Sequence, residues 1–584
     1  MNIINPHRHV PQQAESGGSF VADGSFTMEF TTTVANTTAY LPIRSSDSSG
    51  RLVFDDGTSD VIGNPDQATH TFASAGTYVI RYYGTATSLD FGSASTAQKQ
   101  FLTKILDWGI TGATSAKFQS CSSLISVAAN LESTTTSLYY CFASSTGNPD
   151  VSLLDTSNVT DMRGIFANSA AANPDVSNWD TSNVTRMDSM FWFCRVATPD
   201  VSNFDTSNVT NMYGMFFYCS VANPDVSNFD TSLVTSMRYM FYQCLLANPD
   251  VSSWDTSSII SNGLSSFLYG NRVATPDVSG FDTSGCTDLT SMFKNCYIAN
   301  PDVSGFNTSN VTNMTSMFSN CRVATPNVSN FDTSNATNIS RMFDGCYAAN
   351  PDVSGFDTSN VNNMEYMFSN CRAANPDVSG FDTSKVTKMR YMFRSAYIAT
   401  PDTSSFDTSL VTTMNYMFYG AYDANPDTSG WDTSLVTDMQ AMFQYAYDAN
   451  PDTSGWNTSN VTKMAYMFYS NNSNSLANPD VSGWDTSKVT TMRQMFYRAA
   501  QCNPDLSSWN FSLVTDYYQM FADTNIGTTN YDGFLNRLNA QRITYSLTGR
   551  SIYTIPSTYT TATSGTARTA LLANGFTFTD DGGV

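Results

Sequence analysis

Two carboxylates recur along this 584-residue chain at fixed distances from their own copies. The first is the Asp that follows a proline, at Asp150, Asp175, Asp200 and onward, in fourteen copies with Asn327 as the one exception. The second lies at Asp180, Asp205, Asp230 and onward, in twelve copies, with Asn307, Asn457 and Asn510 in its place elsewhere. Together they make 26 of the 50 acidic residues. Three chemistries suit such columns. A row of calcium ions would sit between carboxylates, a carboxylate pair would hydrolyse glycosides, or each Asp would accept hydrogen bonds from backbone N–H groups in a turn. Asn keeps the acceptor and loses the charge, so in those repeats geometry matters and the anion does not. A catalytic pair should be singular, whereas these recur in every copy, and the glycine-rich G-G-x-G-x-D calcium repeat is absent. The expectation is turn acceptors with no catalytic residue, no cofactor and no built metal site. Calcium in the Asp columns stays open as an alternative.

Other chemistry is sparse. Only His7, His9 and His70 are histidines, which leaves most of the chain without imidazole catalysis. Cys194, Cys219, Cys244, Cys296, Cys321, Cys346 and Cys371 share one position, filled elsewhere by Ser169, Ala396, Ala421 and Ala446. Exchange among small residues indicates buried thiols. Neither C-x-x-C spacing nor an even count suggests metal or disulfides, and Cys121 and Cys141 are the one pair outside the regular array worth testing for a bridge. Asn-Val-Thr at 158–160, 183–185 and 208–210 matches the glycosylation sequon, but its recurrence follows from the repeat. Tyr239, Tyr366, Tyr391, Tyr416 and Tyr466 precede a Met-Phe pair, and Tyr297, Tyr347, Tyr397, Tyr422 and Tyr447 follow the Cys/Ala position, a column that Arg195, Arg322 and Arg372 share. Tyrosines carry an apolar body and a hydroxyl suited to recognition. Tyr366, Tyr391, Tyr416, Tyr466, Tyr397, Tyr422 and Tyr447 are therefore the candidate ligand-binding residues. Half-buried rings covering the rims between helices are the competing reading.

The elements that must position these groups come from one period. Pro149, Pro174, Pro199, Pro224 and Pro249 are 25 apart, and the series continues to Pro504 with longer steps into Pro276 and Pro479. Small insertions near 261–270 and 471–475 account for those steps. Val184, Met187, Met190, Phe191 and Cys194 form a stripe expected of a short helix, with Asp180-Thr-Ser-Asn183 supplying its cap. Pro174–Trp179 reads as a strand with Val176 inward. Trp179, Phe204, Phe229, Trp431, Trp484 and Trp509 read as a core ladder. The expected fold is an α/β solenoid, a leucine-rich-repeat-like stack of about 15 strand–short-helix rungs with a parallel β-sheet. Helices are wider than paired strands, so an arc with the strand side concave is expected. Residues 1–19 read as an attachment segment, 20–95 as a small antiparallel β-sandwich, 96–147 as degenerate repeats, 148–521 as the array and 522–584 as a C-terminal α+β cap. In that cap, helices are expected near Tyr531–Asn539 and Ala567–Ala573, with Phe576-Thr-Phe-Thr579 as a strand.

Two resemblances follow from these motifs. The repeat D-x-S-x-F-D-T-S-N-V-T-x-M-x-x-M-F-x-x-C closely resembles that of the BspA-type surface proteins, with Asn-Pro-Asp-Val where family copies usually carry Leu-Asp-Leu. Phe54-Asp55-Asp56-Gly57, His70-Thr-Phe and Gly76-Thr-Tyr-Val-Ile resemble the pattern of polycystic-kidney-disease-type domains, with Phe54 in place of a tryptophan. The first resemblance implies extracellular adhesion or recognition without a catalytic apparatus.

Composition narrows the partners. A net charge of −22 opposes nucleic acid and anionic membrane surfaces. No apolar run approaches the ~18 residues of a transmembrane helix. The opening residues lack the apolar stretch of a secretory signal, and Asn-Ile-Ile-Asn-Pro-His-Arg resembles the start of phage virion proteins. The expectation is therefore a non-enzymatic, extracellular recognition or adhesion protein, virion-associated as a phage tail fibre or receptor-binding component. It would bind a host-surface protein or glycan, contact other virion proteins through its N-terminal region, and possess scope for homo-oligomers. The alternatives are a bacterial cell-surface adhesin of the BspA type and a purely structural fibre or lattice protein. A glycan-degrading enzyme built on the stacked Asp residues is the reading from another class.

Overall fold

The computed structural model describes residues 23–44, 50–55, 58–61, 68–91, 94–553 and 557–584. The expected attachment segment 1–19, and Asp56 and Gly57 of the N-terminal motif, lie outside the described residues.

Alternating apolar residues open the fold. Phe26, Met28 and Phe30 lie two apart on β1 (Phe26–Thr32) and are all fully buried, as a strand with one face on a core requires. After β2 (Thr37–Tyr40), β3 (Arg51–Phe54), β4 (Ser59–Val61), β5 (Thr69–Phe72), β6 (Gly76–Tyr83) and β7 (Leu89–Asp90) come the one-turn α1 (Thr96–Lys99), β8 (Leu102–Asp107), β9 (Ala116–Lys117) and β10 (Ser126–Val127). One sheet has the order β10-β8-β1-β6-β3-β4, and β2 pairs with β5 in a second. Phe54 of the first sheet meets Phe72 of the second edge-on at 6.5 Å and stacks on His70 at 3.7 Å. Strand β8 is antiparallel to β1, β10 is parallel to β8, and Ser126 bridges Asp150. The sheet therefore crosses the expected boundary at residue 95 and reaches the first proline-marked repeat.

Beyond β10 the chain is a tandem array in which neighbouring repeats lie side by side. Single-residue parallel bridges join Ser137 to Asp161, Asp161 to Arg186, Arg186 to Asn211 and Asn211 to Ser236, and after a break at the 261–270 insertion the series resumes from Asp288 to Asp516. Neither expected element of the repeat is present: no helix or strand is formed between Val127 and Thr528. In place of the helix, successive three-residue turns close as Met190 N–H donates to Met187, Trp192 to Ser189 and Cys194 to Phe191, at 3.0–3.2 Å. The intervening N–H groups of Met187, Ser189, Phe191 and Phe193 donate to Asn211, Tyr213, Met215 and Phe217 of the next repeat, at 2.7–3.3 Å. A helix would spend those donors four residues back in its own chain. Ser189 and Phe193 have φ of 60° and 61°, which breaks helical geometry at alternate turns. Because each closure joins residues three apart, Met187 with Met190 and Phe191 with Cys194, the turns reproduce the apolar spacing that otherwise reads as helix.

The Pro174–Trp179 segment is likewise a turn, closed by Trp179 N–H on Val176 at 3.1 Å, although Val176 faces inward as expected. Side chains tie the repeats together here. Asn148 Oδ1 accepts from Asn173 N–H at 2.8 Å, Trp179 Nε1 donates to Val151 at 3.0 Å, and Thr181 Oγ1 donates to Asp205 at 2.9 Å. Asn183 Nδ2 donates to Ser157 at 2.8 Å, which gives the sequon-like Asn its structural role.

Val176, Trp179, Val184, Met187, Met190, Phe191, Cys194 and Ala197 are all buried, and Phe191, Phe216 and Phe241 stack at 5.6 Å. Equivalent rings are spaced unevenly across the coil. Tyrosines on the bridged side stack at 4.4–4.9 Å, and Trp431, Trp456, Trp484 and Trp509 at 6.0–6.4 Å. Repeats are thus closer on the bridged side. The expected concavity had assumed wide helices, and none is present in the array.

The array ends against α2 (Thr528–Tyr545), which encloses the expected Tyr531–Asn539, followed by β11 (Ser551–Tyr553), β12 (Thr558–Tyr559), α3 (Thr561–Leu572), β13 (Thr577–Thr579) and β14 (Gly582–Gly583). Phe534 meets Phe511 and Phe521 edge-on at 5.4 Å, and Gln541 Nε2 donates to Trp509 at 2.6 Å. Tyr517 bridges Ile552, so β11 takes the place of a following repeat. The described residues are mostly β and turn with few helices, in parallel and antiparallel sheets without a closed barrel. None of their helices is long and apolar enough to cross a membrane.

Candidate recognition face

Both Asp columns are turn acceptors. Asp175 Oδ1 accepts from Ser177 N–H at 3.1 Å and its hydroxyl at 2.7 Å. Asp180, Asp205 and Asp230 accept the same pair from Ser182, Ser207 and Ser232 at 3.0 and 2.7 Å. Asn307 and Asn327 make equivalent contacts with Ser309 and Ser329, so the charge is dispensable for the turn. The Ser207 hydroxyl, then its N–H, hold Asp205 below the usual carboxylate range, against smaller raising effects of burial and Asp180. Among the described residues no group of three or more His, Cys, Asp or Glu is placed to hold a metal ion.

All eleven cysteines are free and buried, Cys121 and Cys141 included. The regular column does more than fill space. Cys194 Sγ donates to the Phe166 carbonyl at 3.1 Å, and Cys219, Cys244, Cys321, Cys346 and Cys371 repeat the contact at 2.8–3.0 Å. Ser169 Oγ does the same to Phe142 at 3.0 Å. Burial pushes the Cys194 thiol up to about 12, which leaves it protonated and unreactive.

Comparing the repeats with one another separates scaffold from surface. The Pro-Asp, Asp-Thr-Ser, Met and Phe positions barely change. The outward positions between the bridge and the cysteine column do: Arg186, Asp188, Trp192, Phe193 and Arg195 in one repeat become Asn211, Tyr213, Phe217, Tyr218 and Ser220 in the next. This face carries the expected tyrosines, all half-buried. Tyr366, Tyr391 and Tyr416 stack at 4.4 and 4.7 Å, and Tyr397, Tyr422 and Tyr447 at 4.7 and 4.9 Å. Tyr466 stands apart from the first stack because Ala441 interrupts it, and lies 6.2 Å from Tyr469. Burial, then the neighbouring phenols, raises Tyr391 above its ordinary value, so its hydroxyl stays protonated.

Two assemblies were not legible from single positions. In early repeats Trp192, Phe217, Tyr242 and Tyr269 form a stack at 3.7, 4.8 and 4.3 Å. In the column after the cysteines, arginine and tyrosine alternate as Arg272, Tyr297, Arg322, Tyr347, Arg372 and Tyr397. Arg322 lies 4.3 Å from the Tyr297 ring and 5.7 Å from that of Tyr347, and Arg372 lies 4.4 Å from Tyr347 and 5.6 Å from Tyr397. Arg272 is 5.6 Å from Tyr297. Aligning the repeats across the 261–270 insertion would have placed Arg272 in this column.

A mostly β tandem-repeat scaffold with one variable, aromatic face defines the class of protein. The chain belongs to the family described as "Mycoplasma protein of unknown function, DUF285", whose model matches residues 136–254, 262–381, 320–431, 363–476 and 423–534. This is a BspA-like repeat family in the general sense. No curated protein and no solved structure matches the chain.

Proposed function

We propose that this protein is a non-enzymatic recognition protein, a continuous leucine-rich-like solenoid of about fifteen turns that grips a surface outside the cell with its variable face. The observation that carries the reading is the contrast between near-invariant turn and core columns and an outward strip of stacked tyrosines and arginines that neither the turns nor the core requires. Aromatic rings that carry a polar group are among the residues that dominate contact energy in recognition surfaces. Packing of Phe54, His70 and Phe72 supports reading the N-terminal unit as polycystic-kidney-disease-like, placed between the array and whatever carries it. The preferred setting is a phage particle, as a tail fibre or receptor-binding component, with other virion proteins as partners and a host-surface protein or glycan as target. A cell-surface adhesin of the BspA type shares the grip and differs in what holds the other end.

Separating virus particles from cells and probing both with antibody tests the setting. Signal in particles supports the virion component, signal at the cell envelope supports the adhesin, and confinement to the cell interior overturns both. The grip itself is tested by the labelled full chain on intact cells of the strain that yields it. Tyr391→Ala and Tyr422→Ala together are expected to weaken binding about tenfold or more with an unchanged melting temperature. Undiminished binding would remove the tyrosine face from the function.

A further inference from the structure

The alternating column repeats an exposed cation at a regular spacing between tyrosine rings, which the other aromatic stacks do not. Several cations elsewhere on the face are matched: Arg163 pairs with Asp161, Arg186 with Asp188, Arg341 with Asp344, and Arg390 with Glu365, while Arg195, Arg238 and Arg394 lie against rings without recurring at a regular spacing. Arg272, Arg322 and Arg372 are exposed, and among the described residues none of them pairs with a carboxylate. In a chain of net charge −22, three unneutralised guanidinium groups in one column are a local reversal of sign. Flanking tyrosine rings hold the guanidinium groups in place, which lowers the entropy lost when they bind an anion.

Their spacing is regular. Each arginine is two repeats from the next, roughly 10 Å at the spacing of paired strands. Beside the column runs a line of exposed aliphatic residues, Val273, Ile298, Val323 and Ile398, with Ala348 and Ala373 between them. Past Ile398 that line turns acidic at Asp423 and Asp448, where the arginines have also ended. Cation, phenol hydroxyl and aliphatic edge thus coincide over one stretch of about five repeats, beyond which only the tyrosines continue, at Tyr422 and Tyr447.

We infer that this strip binds an extended acidic polysaccharide carrying one carboxylate per disaccharide, laid along the array from Arg272 to Tyr397. A sugar pair in an extended chain is about as long as two repeats, so successive carboxylates fall on successive arginines. Phenol hydroxyls face the intervening sugar, and aliphatic side chains meet the C–H faces of the rings. Nucleic acid places its charges far more densely, about one per 1.7 Å of duplex, than arginines roughly 10 Å apart match. The inference rests on the recognition reading above and names the ligand class for one part of that face.

The test is binding of the full chain to hyaluronan and to unsulfated chondroitin, which alternate uronic acid and neutral sugar, with carboxyl-reduced hyaluronan, poly-glutamate and single-stranded DNA alongside. Both acidic polysaccharides are expected to bind, weakening as salt rises, and the carboxyl-reduced chain to bind at least tenfold less well. Arg322→Gln should reduce binding about fivefold to tenfold and the triple Arg272→Gln, Arg322→Gln, Arg372→Gln variant abolish it. Arg322→Lys should recover only part, because it keeps the charge and loses the planar stacking. These side chains are exposed, and an unchanged melting temperature shows that the fold is intact. Equal binding of the reduced chain, tighter binding of poly-glutamate or DNA, or an unaffected triple variant would overturn the inference. Cell binding that survives without polysaccharide binding overturns this inference alone, whereas loss of both overturns the recognition reading as well.

Discussion

Asn271 occupies the position that other repeats give to Cys, Ser or Ala. It is fully buried, and neither its Oδ1 nor its Nδ2 has a partner among the described residues. A buried amide without hydrogen bonds costs on the order of 1–3 kcal/mol. Asn271→Cys, which restores the column's small thiol donor, is therefore expected to raise stability by about 1–2 kcal/mol, read as a higher denaturation midpoint at unchanged slope. The turn columns behave in the opposite sense. Asp205→Asn should leave stability near the starting value, because Asn307 and Asn327 already make the same bonds, whereas Asp205→Ala should cost about 1 kcal/mol. The Asn exceptions in the sequence carried that conclusion correctly. They were informative because a chemical substitution within an otherwise fixed column isolates the acceptor from the charge.

At the scale of the element, period and burial were legible and backbone conformation was not. Val176, Met187, Phe191 and Cys194 are buried as their spacing requires, but an apolar residue every third or fourth position suits a chain of turns as well as a helix. What distinguishes the two is where alternate N–H groups donate, and side-chain spacing carries no record of that. Positive φ at Tyr366, Tyr391, Tyr416 and Tyr466 was equally hidden, because tyrosine is not a residue that announces left-handed backbone. The tyrosine stacks were legible as columns, while the alternating arginine ladder required columns to be read across an insertion. Along the thiol column, Ala396 is expected to accept Cys with a gain of about 0.5–1 kcal/mol, measured by equilibrium unfolding of Ala396→Cys. Its new thiol should donate to the Phe368 carbonyl, as Cys371 donates to Phe343.

Over the whole molecule the carboxylates set the response to pH. Ser hydroxyls and N–H groups hold Asp200, Asp225 and Asp302 below the ordinary value, with neighbouring Asp200 opposing the effect at Asp225. A folded-state value below the unfolded one means that the unfolded chain binds protons first on acidification. Stability from these turns is present above the unfolded carboxylate value and is lost as pH falls through about 4 toward the lower folded values. Melting temperature should therefore hold level from neutrality to mildly acid pH and drop below about pH 4. A level curve through that range would remove the carboxylate charge from the stability of the array. Finally, most repeats meet their successors through the same backbone donors and the same Thr side-chain tie. Inserting or deleting one whole unit in the gene leaves each contact and both capped ends intact, while a partial unit misaligns everything downstream. Tandem near-identity also invites such slippage during replication. The reach of the protein, and the number of residues it presents to a partner, is consequently free to drift in quantised steps without any redesign of the fold.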